Sequence, residues 1–223
     1  MKNILIPKTN LSKISVFLIW LFHTCGLIGI LYIDRELFLQ TTPFNLSMTF
    51  ILLFFNLEEV NKKVIIALTT AFIVGMIAET IGVNYGILFG DYEYGENLGF
   101  KIFGVPFLIG INWIVLTFIT GSISSLIFKN SVYLSALLGS VLMVILDIVI
   151  EPVAPKFDYW VFSENKAPVF NYLSWFLIAY PIQLVYQKMV EKKENTFSIH
   201  LVLVHFLFFS IFIIADSASW FNG

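Results

Sequence analysis

Cysteine is almost absent: Cys25 is the only one in 223 residues. It cannot close an intrachain disulfide. With no CxxC pair and no Cys/His cluster, there is no thiolate set for zinc or an iron–sulfur cluster, and no metal site is expected. Charge is scarce too. Charged residues make up 13% of the chain, where soluble domains carry about 25%. The net charge is -2, and a nucleic-acid partner would need a basic patch, so nucleic acid is excluded as a partner. Low-complexity linkers are missing, and little remains for a soluble domain once the apolar runs are placed. A single integral membrane domain over residues 1–223 is the expectation.

Apolar sequence is what the chain has in quantity, at 58% of residues. A spanning helix needs about 20 largely apolar residues. Seven runs qualify: 14–33, 37–57, 64–89, 103–128, 132–153, 171–186 and 197–215. This predicts an all-α polytopic bundle of about seven transmembrane helices. The second run is the weakest, because Gln40, Thr41, Thr42 and Pro43 dilute its start. The sixth is short and carries Pro181, a source of a kink. Lys2, Lys8 and Lys13 precede the first run in the manner of a signal peptide. The run exceeds a usual h-region and no A-x-A site follows, so it is expected to be a retained helix.

Lys and Arg set the orientation. With the N-terminus inside, nine of the 13 basic residues fall on the cytoplasmic side: Lys2, Lys8, Lys13, Lys62, Lys63, Lys129, Lys188, Lys192 and Lys193. Arg35, Lys101, Lys156 and Lys166 fall outside. A multi-pass protein of the cytoplasmic membrane, N-terminus inside, is therefore expected. Two long connections, 90–102 and 154–170, lie on the outer side and are rich in aromatics and acids. They fit either an interfacial aromatic belt or a lid over a site.

Ionisable groups within spans are functional candidates by default. Glu79 lies in the third run, and Asp147 and Glu151 in the fifth. Asn112 and Trp113 lie in the fourth, His23 in the first and His205 in the seventh. Glu79 and Asp147 each sit about 15 residues, or roughly 22 Å, from the cytoplasmic start of their runs. Asn112, on a run of opposite direction, reaches about the same level. Asp147 and Glu151 share a helix face at i, i+4. Three helices thus place polar groups in one layer, in the outer half of the membrane. A protonated Glu79 or Asp147 is a candidate acid. Interhelical bonding is the plainer reading for either, and packing the plainer one for His23, His205 and Trp113. Gly82, Gly86 and Gly90 form a small-xxx-small stripe expected to let two helices approach closely.

The stretch from Glu79 to Trp113 contains E-x-x-G-V-N-x-G at 79–86, F-G-x-Y-x-Y at 89–94, L-G at 98–99, G-V-P at 104–106 and I-G-x-N-W at 109–113. D-x-x-x-E-P-V-A follows at 147–154, with Tyr159 and Trp160 beyond it. Together these resemble the integral-membrane carotenoid hydratases, of the carotenoid 1′,2′-hydratase and bisanhydrobacterioruberin hydratase type. The likeness runs from about residue 70 to 165. It implies a hydro-lyase of carotenoid biosynthesis that adds water to the terminal double bond of an acyclic end group, of the lycopene or γ-carotene kind. No cofactor is implied. The substrate would come from the bilayer, water would be the second reactant, and other enzymes of the pathway are candidate partners. The resemblance implies catalytic roles among Glu79, Asp147, Glu151 and Asn112. It implies substrate contacts among Asn84, Tyr92, Tyr94, Trp113, Tyr159 and Trp160. Protonation would give a tertiary cation, which aromatic rings stabilise and water captures.

Three other readings stay open on the residues. A membrane lycopene cyclase would share the protonation, and 56–59 (Asn-Leu-Glu-Glu) faintly resembles an acidic element of such enzymes. A transporter or a pigment-binding protein would use the buried carboxylates without chemistry. A retinal protein is disfavoured, because the seventh run has no lysine for a Schiff base.

Overall fold

The computed structural model describes residues 4–217. Its helices are α1 (Asn10–Tyr32), α2 (Arg35–Leu39), α3 (Thr42–Asn56), α4 (Lys62–Tyr85), α5 (Phe107–Ile127), α6 (Val132–Ile150), α7 (Val169–Met189) and α8 (Thr196–Ser217). Residues 35–56 are long and apolar enough, with α2 and α3 taken together, to make one of seven candidate spans. The chain is an all-α polytopic membrane bundle, and the dilute second run forms a span like the others.

Helix starts follow the polar residues that precede each apolar run. The side chains of Thr9, Asp34, Asn61 and Ser131 each accept from a backbone N–H in the first turn that follows. Such caps satisfy donors that a bilayer would otherwise leave bare. α7 continues through Pro181.

Two of the boundary differences from the sequence expectation bear on the site. The third run ends at Tyr85, because Gly86 adopts a left-handed conformation (φ 66°) and its N–H returns to the Gly82 carbonyl. Gly90 lies beyond the helix at φ 106°. The glycine stripe therefore does not run down one helix face: Gly82 packs, and Gly86 and Gly90 turn the chain. The fourth helix starts at Phe107, not 103. Residues 101–106 form a hairpin of β2 (Lys101–Ile102) and β3 (Val105–Pro106), turned by Phe103 and Gly104, both at positive φ.

α5 is the hub. It packs against α3, α4, α6, α7 and α8. Lipid is as apolar as leucine, so helices associate through close packing and internal hydrogen bonds. Gly121 on α5 and Gly139 on α6 leave space that the Gln183 side chain of α7 fills. Gln183 Nε2 donates to the Thr117 carbonyl at 3.0 Å and to Thr120 Oγ1 at 2.8 Å. One turn on, Gln187 Nε2 donates to the Gly121 carbonyl at 2.8 Å. α1, α2, α3 and α8 form the other side of the molecule, where α1 contacts α2, α3 and α8.

The two ends separate as the charge pattern requires. At one end Lys63 pairs with Glu191 (2.5 Å), Lys192 with Glu59 (3.5 Å), and Thr196 Oγ1 donates to the Ile4 carbonyl. At the other, Arg35 Nη2 donates to the Lys156 carbonyl (2.6 Å), Lys156 pairs with Asp216, and Lys101 pairs with Glu96 (2.7 Å).

The long connections meet at that second end. β1 (Tyr92–Tyr94) pairs antiparallel with β4 (Trp160–Phe162), Tyr92 opposite Phe162 and Tyr94 opposite Trp160. Alternation along β1 turns Tyr92 and Tyr94 inward and leaves Glu93 exposed. Asp158, left-handed at φ 54°, ties the two connections together: its Oδ2 accepts from the Glu96 and Asn97 amides at 2.7 and 3.1 Å. These connections make a lid across the bundle end, rather than a belt alone.

Candidate active site

Beneath the lid lies a small cavity of about 30 Å³. Glu79 from α4, Asn112 from α5 and Asp147 from α6 share its wall. Each is three to six residues from the lid-side end of its helix, or about 5–9 Å. Glu79 and Asp147 are 2% and 5% exposed.

Glu79 is an acceptor in three hydrogen bonds. Tyr92 Oη donates to Oε2 at 2.5 Å and Tyr94 Oη at 2.8 Å. Trp113 Nε1 donates to Oε1 at 3.0 Å. The geometry is set from both sides. Alternation on β1 brings both phenols down, and Gly75 lets Trp113 approach α4, since a Cβ there would fall 2.4 Å from the indole. Burial, reinforced by the neighbouring Glu79, pushes the Tyr92 and Tyr94 hydroxyls up, so both stay protonated donors.

Asp147 is less committed. Its Oδ2 accepts from Asn171 Nδ2 at 3.3 Å, and Oδ1 has no donor among the described residues. Asn112 has no side-chain hydrogen bond among the described residues and lines the cavity. A space of this size holds about one water. Aromatic rings line it: Phe89, Tyr92, Tyr94, Trp160, Phe162 and Trp175.

The remaining expected residues fall elsewhere. Trp113 is fully buried behind the wall, with Trp175 stacked on it at 4.2 Å and 7°. Trp175 therefore takes the place on the cavity wall that Trp113 was expected to fill. Glu151 sits at the end of α6 and accepts from Trp160 Nε1 at 3.1 Å, outside the cavity wall. Asn84 is exposed and donates to the Thr80 and Phe103 carbonyls, bracing the β2–β3 hairpin away from the carboxylates. Tyr159 lies beside an adjoining cavity, bonded to Thr42 Oγ1 at 3.3 Å, its hydroxyl pushed up to about 12 by burial. Glu59, in the element resembling a cyclase, pairs with Lys192 at the opposite end of the molecule.

Trp175 and Asn171 escaped the sequence reading. Both lie on α7, whose one visible oddity was Pro181. Their spacing of four residues places them on one helix face, which was the available signal.

No curated protein and no solved structure matches the chain. Residues 41–223 match a family model described as "Carotenoid biosynthesis protein". That match spans α3 to α8 and takes in the cavity, the lid and both carboxylates, so the chain belongs to the carotenoid biosynthesis protein family.

Proposed function

We propose that the chain is a carotenoid hydratase that adds water to the terminal double bond of an acyclic carotenoid end, in the cytoplasmic membrane and without a cofactor. The observation that carries this reading is the pairing of two unlike carboxyls around a space for one water. Asp147, with one oxygen free of donors, gives its proton to the less substituted alkene carbon. The π electrons form the new C–H bond and leave a tertiary cation. Glu79, held by three donors, faces that cation as the negative end of a fixed dipole array. The rings of Trp175, Tyr92 and Tyr94 add cation–π stabilisation. Water, oriented by Asn112, forms the C–O bond. Its surplus proton returns to the Asp147 carboxylate, so the acid is regenerated and the net change is one water added.

The cavity is too small for a polyene end, so substrate binding requires the aromatic wall or lid to move. An apolar substrate taken from the bilayer suits a protein whose outer surface is lipid-facing. A cyclase would share the protonation, but it would gain nothing from an unpartnered Asn112 beside a space for water.

The test is expression in a bacterium that makes lycopene or γ-carotene, with pigments separated by liquid chromatography and mass detection. The hydratase reading expects a new pigment heavier by one water, absent with Asp147→Asn. A new pigment of unchanged mass would establish a cyclase instead.

A further inference from the structure

A second cavity, of about 330 Å³, lies between α1, α2–α3 and α8. Its wall is largely aromatic, with Phe22, Phe44, Phe208 and Phe209 among its members. Phe44 is 59% exposed, so the chamber reaches the lipid-facing surface there. Its polar members form a pattern. His23 and His205 are 6% and 7% exposed, with ring centroids 5.4 Å apart. His23 Nδ1 lies 2.7 Å from the Ile19 carbonyl and His205 Nδ1 2.8 Å from the Leu201 carbonyl. A carbonyl only accepts, so each Nδ1 donates and the neutral ring carries its lone pair on Nε2. Neither Nε2 has a hydrogen-bond partner among the described residues. Asn45 Oδ1, on the same wall, is a buried acceptor without a partner. Three acceptors in an apolar chamber call for an O–H donor.

A third cavity, of about 60 Å³, lies between this chamber and the carboxylate cavity. It shares Tyr159, His205 and Phe209 with the chamber, and Asn112, Ile150 and Trp160 with the carboxylate cavity. We infer that the chamber is a second binding site, for the alcohol end of an unsaturated isoprenoid chain, whose single O–H proton is donated to Nε2 of His23 or His205, beside Asn45. Only the origin of that alcohol rests on the hydratase reading. It arrives either from the carboxylate cavity as product or from the bilayer as an alcohol already formed.

Cys25 supplies the reporter. It is the chain's only cysteine, it is exposed, and it lines the chamber. The experiment follows alkylation of Cys25 by N-ethylmaleimide in purified protein in lipid nanodiscs. Asp147→Asn, in which turnover is expected to fall by about 100-fold or more, is given lycopene or its tertiary alcohol. The alcohol should slow alkylation at least about fivefold, and at about tenfold lower concentration than lycopene, a gap the size of one net hydrogen bond. His23→Leu with His205→Leu should remove that gap while leaving protection by lycopene. Gly26→Leu should abolish protection by both, because a Cβ at Gly26 meets only Phe208, at 3.7 Å, and a longer chain there extends into the chamber. Wild-type protein given lycopene alone distinguishes the sources: protection that grows with turnover marks product arriving by way of the third cavity, and protection by added alcohol only marks uptake from lipid. Alkylation unaffected by the alcohol, or equal protection by both pigments in unsubstituted histidine protein, overturns the inference. Protection without any hydrated pigment from the wild type would overturn the hydratase reading and leave this site standing.

Discussion

Glu79 accepts three hydrogen bonds and Asp147 one, and the proposed division of roles rests on that inequality. Bonds to charged groups contribute about 1.5–3 kcal/mol each. Tyr92→Phe and Tyr94→Phe should each lower turnover by about 10- to 100-fold, with little change in the amount of folded protein. Asp147→Asn should lower it by 100-fold or more, as loss of general-acid catalysis does. Turnover in membranes under saturating pigment measures both. An equal, small effect from all three would contradict the division of labour. The phenols also predict a pH profile. Burial holds both hydroxyls above the ordinary tyrosine value, near 10. They remain neutral donors as pH rises through that value, so the rate should show no alkaline limb there. A fall in rate near pH 10 that Tyr92→Phe removes would contradict this.

The elements that hold these residues are a lid and a set of glycine-spaced helices. Asp158 gathers two amides of the other connection. Asp158→Ala should loosen the lid and cut activity while thermal unfolding of the bundle stays nearly unchanged. Loss of both together would mean that the lid is part of the core. Gln183→Leu should act in the opposite sense. It removes bonds from α7 to α5 worth about 0.6–2 kcal/mol, lowering unfolding temperature in detergent with the carboxylate site intact. Element existence was legible in the sequence because a bilayer demands long apolar runs, and all seven became spans. The common level of Glu79, Asn112 and Asp147 was legible for the same reason, since helix rise is fixed. The lid pairing was not, because short strands at 92–94 and 160–162 carry no periodicity of their own. Trp175 was hidden in an aromatic-rich helix, and only the stacking on Trp113 separates it from packing. The second half of the hairpin, 103–106, was read as helix because its apolar residues continue the run, while Phe103 and Gly104 turn left-handed.

At the scale of the whole molecule, two sets of helices share α5: the carboxylate cavity lies on one side, the His-lined chamber on the other, and the third cavity between them. The carboxylate cavity is small and holds about a water, while the His-lined chamber is about ten times larger and reaches the lipid-facing surface. Such a division suits a reaction that must keep its cation from bulk water yet exchange a long apolar chain with the bilayer. The charge pattern further predicts sidedness. In a Cys25→Ser background, a cysteine at Phe103 should react with an impermeant maleimide from outside intact cells. A cysteine at Lys129 should react only after permeabilisation. The reverse would turn the molecule over and place the lid inside. Hydration itself is tested most directly by isotope. Membranes containing the protein, given lycopene in water enriched in heavy oxygen, should yield a pigment that carries the heavy oxygen at its tertiary carbon, and Asp147→Asn membranes should yield none. A new pigment without the heavy oxygen, or the labelled alcohol formed equally by Asp147→Asn, would contradict the account.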